Sequence, residues 1–168
     1  SNGDTVVDAT VGNGRDTVLL ADLVGKTGRV IGFDTQRIAL DKTCSRLRKA
    51  GLLERVSLIA AGHQYLDRYV HQPITACMFN LGYLPGGEHC LVTLPETTRT
   101  ALEQVLKLLE KNGIVTIVIY TGHEGGEKEA YVISQIIESL PQELWDVAEI
   151  KFPNRRNNSP YLIVIQRR

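Results

Sequence analysis

The feature that most constrains the fold of this chain is a recurring alternation of short β-rich runs with longer helical patterns. The β-rich runs fall at residues 5–9, 29–33, 56–60, 75–80, 114–120, 145–151 and 161–166. Helical periodicity falls at 16–23, 37–50, 96–111 and 127–139, with a short stretch near 64–70. Runs such as Val30-Ile31-Gly32-Phe33 and Ile114-Val115-Thr116-Ile117-Val118-Ile119 are almost continuously apolar, as expected of strands covered on both faces. Such alternation predicts a parallel sheet with right-handed crossovers. Gly25, Gly51 and Gly113 each follow a helical segment and read as left-handed caps. The habit changes at the end, where Phe152 to Pro160 join the last two runs without a helix, which permits an antiparallel pair. The expectation is one α/β domain over residues 1–168, a Rossmann-like sandwich with a mostly parallel seven-stranded sheet and a C-terminal antiparallel hairpin. In such open sheets ligands bind beyond the carboxyl ends of the strands, where the strand order switches.

Charge and composition remove several classes. Lys+Arg and Asp+Glu both total 19, so no global field draws in a polyanion, and any nucleic-acid contact must be local. Cys44, Cys77 and Cys90 are too scattered for a disulfide framework or a CxxC site and read as free thiols in a reducing cytoplasm. His63, His71, His89 and His123 lack metal-ligand spacing, and no metal is expected. No apolar run reaches the roughly 18 residues of a membrane span. The polar opening Ser1-Asn2-Gly3-Asp4 is no signal peptide, and a cytoplasmic protein is expected.

The most informative segment is Val6-Val7-Asp8-Ala9-Thr10-Val11-Gly12-Asn13-Gly14-Arg15-Asp16-Thr17, a strand, a small-residue loop and a helix start. Gly12 and Gly14 allow close backbone approach, and the helix N-terminus presents free N–H groups. A ligand-free tight turn fits the glycines equally well. A P-loop is disfavoured because no Gly-Lys-Ser/Thr occurs, and a dinucleotide fingerprint because Thr17 stands at its third glycine. The remaining ligand is S-adenosylmethionine (SAM), which has no phosphate and needs an acid near its ammonium and another at its ribose diol. Asp8 suits the first, directly or through water. Asp34, ending the second strand, suits the second at about the 20-residue spacing of a ribose acid, although alone it also reads as a helix N-cap. Ala61-Gly62-His63-Gln64 falls where an adenine would lie, and His63 is equally a plain loop histidine. The cofactor candidates are Asp8, Thr10, Gly12, Asn13, Gly14, Asp16, Asp34, Gln36, Gly62, His63 and Asn80.

The fourth strand runs into Asn80-Leu81-Gly82-Tyr83-Leu84-Pro85-Gly86-Gly87, beside the sulfonium end of a ligand on the first loop. An amine nucleophile needs acceptors for its N–H groups, which the Asn80 amide and the Leu81 carbonyl can supply. Tyr83 adds an aromatic face, and Pro85 and Gly86 form a turn. Tyr120-Thr121-Gly122-His123-Glu124-Gly125-Gly126 ends the fifth strand on the same rim, where His123 is placed to deprotonate an ammonium or simply starts a helix. Arg155 and Arg156 suit phosphates, or are solvated turn charges. The catalytic candidates are Asn80, Tyr83 and His123, and the substrate candidates are Tyr83, Pro85, Gly86, Arg155 and Arg156.

These three motifs together resemble the bacterial putative rRNA methylase family of small class I SAM-dependent methyltransferases, over nearly the whole chain. The resemblance implies SAM as cofactor and tRNA, through its anticodon stem-loop, as partner. It implies an N-methyltransferase that converts the 5-aminomethyl-(2-thio)uridine of the tRNA wobble position to 5-methylaminomethyl-(2-thio)uridine. Thr10 stands where the wider class has glycine, although Asp-Ala-Thr is usual in this family. Such domains also carry a helix before the first strand. Here only Ser1 to Asp4 precede it, so that helix is expected to be missing from this chain. Methylation of rRNA or of a small molecule is the alternative. A NAD-binding oxidoreductase is disfavoured by Thr17, and a non-catalytic RNA-binding module by its 6% aromatic content and by the Asn80 motif it leaves unexplained. The sequence leaves oligomeric state open, with a homodimer as one option.

Overall fold

The computed structural model describes residues 2–82, 93–122, 125–155 and 159–168. In chain order the elements are β1 (Thr5–Asp8), α1 (Arg15–Leu23), β2 (Arg29–Phe33), α2 (Arg37–Ala50), β3 (Val56–Ile59), β4 (Ile74–Asn80), α3 (Pro95–Leu108), β5 (Leu109–Ile119), α4 (Gly126–Glu138), β6 (Trp145–Ile150) and β7 (Tyr161–Arg167). Short 3-10 turns occupy Leu53–Arg55 and His63–Arg68. The strands form one seven-stranded sheet in the order β3-β2-β1-β4-β5-β7-β6. The first five pair parallel, while β7 inserts antiparallel between β5 and β6. This is the expected mostly parallel sheet with a terminal antiparallel hairpin, and the strand order switches between β1 and β4.

Alternation along the strands divides the core in two. Val7, Cys77, Phe79, Val115, Ile117 and Ile163 face α3 and α4 in the larger cluster, while Val6 and Val30 face α1 and α2 in the smaller one. On the α1–α2 side those helices pack over β1, β2 and β3, and Ile114 of β5 stays 38% exposed. Local signals act where expected. Gly51 ends α2 in the left-handed conformation behind Arg48 and Lys49, cations suited to a helix C-terminus. Gly25 likewise follows α1 with a positive φ. Pro95 opens α3, where a missing N–H is harmless.

The boundary between α3 and β5 differs from the sequence expectation. The helical pattern runs to Lys111, yet α3 stops at Leu108 and Leu109 is already paired with Ile74 of β4. The Arg167 guanidinium donates to the Leu109 carbonyl, so non-local pairing overrides local helix propensity. Residues 110–113 then bulge opposite Thr75, with Asn112 rather than Gly113 taking the positive φ of 65°. Gly113 is therefore not a helix cap. It is glycine because a Cβ there would lie 2.8 Å from the Glu110 carbonyl and from the Leu109 side chain.

Candidate functional site

The carboxyl ends of β1, β2 and β4 bring the first loop, Asp34 and Asn80 to one rim, at the switch point between β1 and β4. The loop is fastened to each neighbour by backbone bonds. Ala9 N–H donates to Met78 O of β4 at 2.9 Å, and Val11 N–H to Phe33 O of β2 at 3.0 Å. Gly12 N–H donates to Asp34 Oδ2 at 2.8 Å, and the Thr43 hydroxyl of α2 donates to Gly12 O at 3.1 Å. Gly14 starts α1 in the left-handed conformation, and a Cβ on it would lie 2.3 Å from Thr43 Oγ1. The glycine requirement here comes from α2 pressing on the turn.

The two acids differ sharply. Asp8 is 1% exposed, its Oδ1 accepting the Thr10 N–H at 3.2 Å and its Oδ2 the Thr17 hydroxyl at 2.6 Å. Burial pushes its pKa up to about 6, against the lowering effect of those two bonds. Thr17, at the position where a dinucleotide fingerprint has glycine, is thus a ligand of the strand-final acid. Asp34 is half-buried at the open end of β2, and it accepts from Gly12 N–H and from Gln36 N–H at 2.8 Å. Burial raises its pKa too, with both amide bonds pulling the other way. Each oxygen keeps a second lone pair, the acceptor geometry a vicinal diol requires. This pair of acceptor oxygens fits the ribose diol of SAM.

His63 lies 6% exposed beneath the loop, its Nδ1 3.1 Å from the Ala9 carbonyl and its ring edge-on to Phe79. The carbonyl can only accept, so Nδ1 carries the proton. Nε2 is left buried without a hydrogen-bond partner, and burial holds the pKa below the ordinary histidine value. His63 is placed to brace β1 from below. Beside it, the Gln64 side chain folds over Gly62, where a Cβ would lie 2.1 Å from its Oε1. Thr10, Gly12, Asn13, Asp16 and Gln36 are all half-buried on the same rim.

Asn80 is exposed, and its own N–H donates to Thr10 Oγ1 at 2.7 Å. Leu81 N–H donates to Val118 O of β5, and Gly82 N–H to Thr93 Oγ1, both at 3.0 Å. All three consecutive amide donors are thus satisfied internally. Thr10 serves here as the joint between the first loop and β4, a role that glycine has no side chain to fill. Tyr120 follows β5 at 40% exposure. Arg155 lies 5.0 Å over the ring of Phe152, which is 51% exposed at the hairpin end. The pairing of Ile119 with Tyr161 brings that hairpin end to the same rim. Tyr83, Pro85, Gly86, His123 and Arg156 lie outside the described residues.

One site feature escaped the sequence reading. Glu129, in the first turn of α4, is 1% exposed and accepts from the Thr93 hydroxyl at 2.8 Å and the Thr98 hydroxyl at 2.5 Å. Its signal was positional: it shares the helical spacing of the buried Val132, Ile133 and Ile136, although Gly126-Glu127-Lys128-Glu129 reads as a polar helix start. Among the described residues no three His, Cys, Asp or Glu side chains cluster to hold a metal. No described helix is long and apolar enough to cross a membrane.

The chain is similar to known proteins over most of its length. Residues 30–166 match the family described as "Putative rRNA methylase". A chloroplastic tRNA (mnm(5)s(2)U34)-methyltransferase of Arabidopsis thaliana is 37% identical over 163 residues, 91% of this chain and 60% of that protein. The chain thus spans well under two thirds of that relative's length. The crystal structure of a putative rRNA-methylase from Clostridium thermocellum is 46% identical, with a TM-score of 0.96 over 99% of this chain and 90% of that one. A putative methyltransferase from Streptococcus mutans in complex with S-adenosylhomocysteine (SAH) is 36% identical, with a TM-score of 0.90 over the same shares, 99% and 90%. With its seven-stranded sheet and its match over residues 30–166, the chain belongs to the putative rRNA methylase family of SAM-dependent methyltransferases.

Proposed function

We propose that the protein transfers the methyl group of SAM to an amine on RNA, and that this amine is the 5-aminomethyl group of the tRNA wobble uridine. The observation that carries the amine assignment is the run Asn80-Leu81-Gly82, whose three N–H groups all donate into the protein. A group docking there meets the Asn80 side chain and the Leu81 carbonyl, since Gly82 O already accepts the Thr93 N–H. Among the described residues, this run suits a nucleophile rich in N–H donors and leaves no free backbone donor for an oxyanion. The tRNA assignment is supported by the name of the Arabidopsis thaliana relative.

SAM, when bound, supplies an electrophilic methyl group on a cationic sulfonium, with neutral SAH as the leaving group. The chain's part is positional. Asp34 accepts the ribose hydroxyls, the Gly12–Gly14 turn receives the nucleoside, and buried Asp8 lends negative potential to a cationic ligand. Asn80 Oδ1 accepts an N–H of the acceptor amine and turns its lone pair toward the methyl carbon. The amine nitrogen forms the new C–N bond as the carbon–sulfur bond breaks, and the resulting secondary ammonium loses a proton to water. Alignment of this kind can supply roughly 7–11 kcal/mol of the barrier reduction in favourable cases. At the hairpin end, the Phe152 ring stacked under Arg155 offers a base-stacking face with a phosphate-binding cation, a pairing suited to a single-stranded RNA loop.

The test is incubation of the purified protein with labelled SAM and either bulk tRNA or ribosomal RNA from a strain lacking the enzyme, followed by nucleoside mass spectrometry. Label in 5-methylaminomethyl-uridine of tRNA is expected. Label in a ribosomal base, which the family description would favour, overturns the tRNA assignment and leaves the cofactor assignment standing. Label in neither RNA overturns the RNA substrate altogether.

A further inference from the structure

We propose that Glu129 is a positioning residue for methyl transfer: through the Thr93 hydroxyl it fixes the Gly82 amide, and with it the Asn80–Leu81 end of β4, while touching neither the methyl donor nor the acceptor. The inference rests on the reading that Asn80 faces the reacting amine. The structure supplies an unbroken chain of contacts. Gly82 N–H donates to Thr93 Oγ1 at 3.0 Å, and the Thr93 hydroxyl donates in turn to Glu129 Oε2 at 2.8 Å. Thr93 N–H returns to Gly82 O at 3.0 Å, so two opposed bonds join these residues. The other oxygen, Oε1, takes the Thr98 hydroxyl from the first turns of α3. One carboxylate thereby ties the end of β4, the start of α3 and the first turn of α4.

A carboxylate is a costly group to bury, and a well-packed apolar residue on this stripe of α4 would fill the space with less penalty. What an apolar residue cannot do is orient a hydroxyl. A threonine hydroxyl rotates freely and can direct its proton or its lone pairs toward Gly82. A carboxylate accepts only, so the Thr93 proton is committed to Oε2 and a lone pair is left facing the Gly82 N–H. Donation to an anion also makes the hydroxyl oxygen a better acceptor. Gly82 is two residues beyond Asn80, and the amides of Asn80 and Leu81 are already held by Thr10 and Val118. The Thr93–Glu129 link therefore secures the third and last amide of the run.

The experiment compares Thr93→Val, Glu129→Leu, Thr93→Ser and Thr98→Val in the full chain. Three quantities are read: SAM affinity, kcat and KM for tRNA methylation, and hydrogen exchange of the Gly82 amide. Thr93→Val and Glu129→Leu should lower kcat about tenfold or more, with SAM affinity within about twofold of wild type, as expected of lost alignment. Gly82 exchange should accelerate by a similar factor in both. Thr93→Ser keeps the hydroxyl and should restore both readouts to within about threefold. Thr98→Val removes a bond to the same carboxylate but leaves the Gly82 link, and should leave Gly82 exchange near wild type. The proposal is overturned if Gly82 exchange is unchanged in Thr93→Val or in Glu129→Leu, if Thr98→Val matches their losses, or if SAM affinity falls in step with kcat. Should the wild-type protein methylate no tRNA, the substrate reading fails, and the exchange comparison still decides whether Glu129 holds this end of β4.

Discussion

Asp8 and Asp34 end neighbouring parallel strands, and both look in the sequence like acids waiting for the same ligand. The structure gives them different surroundings. Each acid accepts one hydrogen bond on each oxygen, but Asp8 is sealed under its loop at 1% exposure, whereas Asp34 stands half-buried at the open rim, where its remaining lone pairs can be reached. A buried strand-final acid shapes the turn and sets a local potential. A rim acid that accepts backbone amides is organised to accept a ligand as well. Inside the protein, the buried Thr17 hydroxyl meets Asp8 Oδ2 at 2.6 Å, while both partners of Asp34 are backbone amides.

The contrast can be broken in order of effect. Asp34→Ala should weaken SAM binding about a hundredfold or more in equilibrium titration, since each hydrogen bond to a charged group contributes about 1.5–3 kcal/mol. Asp8→Ala with an equal loss confined to affinity, and no loss of stability, would erase the distinction. Asn80→Ala should lower kcat about a hundredfold while SAM affinity stays within about threefold, the signature of a group that aligns the acceptor.

Asp8→Asn separates the acids by pH. Folded Asp8 keeps its proton to about pH 6, while the unfolded chain releases it near 3.8. The folded state thus binds more protons between those values, and its stability falls as pH rises across the window, by about 2–3 kcal/mol at most. The gap in Tm between Asp8→Asn and wild type should therefore shift in favour of the variant as pH rises from 4 to 7, and a constant gap would contradict the burial account. SAM should also gain affinity relative to SAH as pH rises through 6, because ionised Asp8 favours the cationic ligand; Asp8→Asn should lose this dependence. The smallest expected effect is Arg155→Ala, raising KM for tRNA by about three- to tenfold and reducing the salt slope by about one, with SAM affinity unchanged.

How much of this was legible in the sequence follows from how local each cause is. The segment 37–50 reads as a helix and forms one with those bounds, because periodicity and the Gly51 cap are local. The strand cores were legible from apolar runs. The end of α3 was not, because it is fixed by Ile74 and Arg167, distant in the chain. Within the site, Asp34 and Asn80 could be placed because strand ends in a parallel sheet share a rim. The bracing roles of Thr17, Thr43 and His63 could not, since each depends on a partner 9, 31 or 54 residues away. Glu129 was hidden by its neighbours: a Glu among Lys and Glu reads as solvent-facing, and only its phase with Val132 and Ile136 points inward.

The position of a bound SAM is the most direct test of the Asp34 and Asn80 roles, and a crystal structure of the complex measures it. The ribose hydroxyls should sit on the Asp34 carboxylate, the nucleoside against the Gly12–Gly14 turn, and the methyl carbon toward the Asn80 side chain. A ribose held elsewhere, or a methyl group facing away from the end of β4, would contradict it.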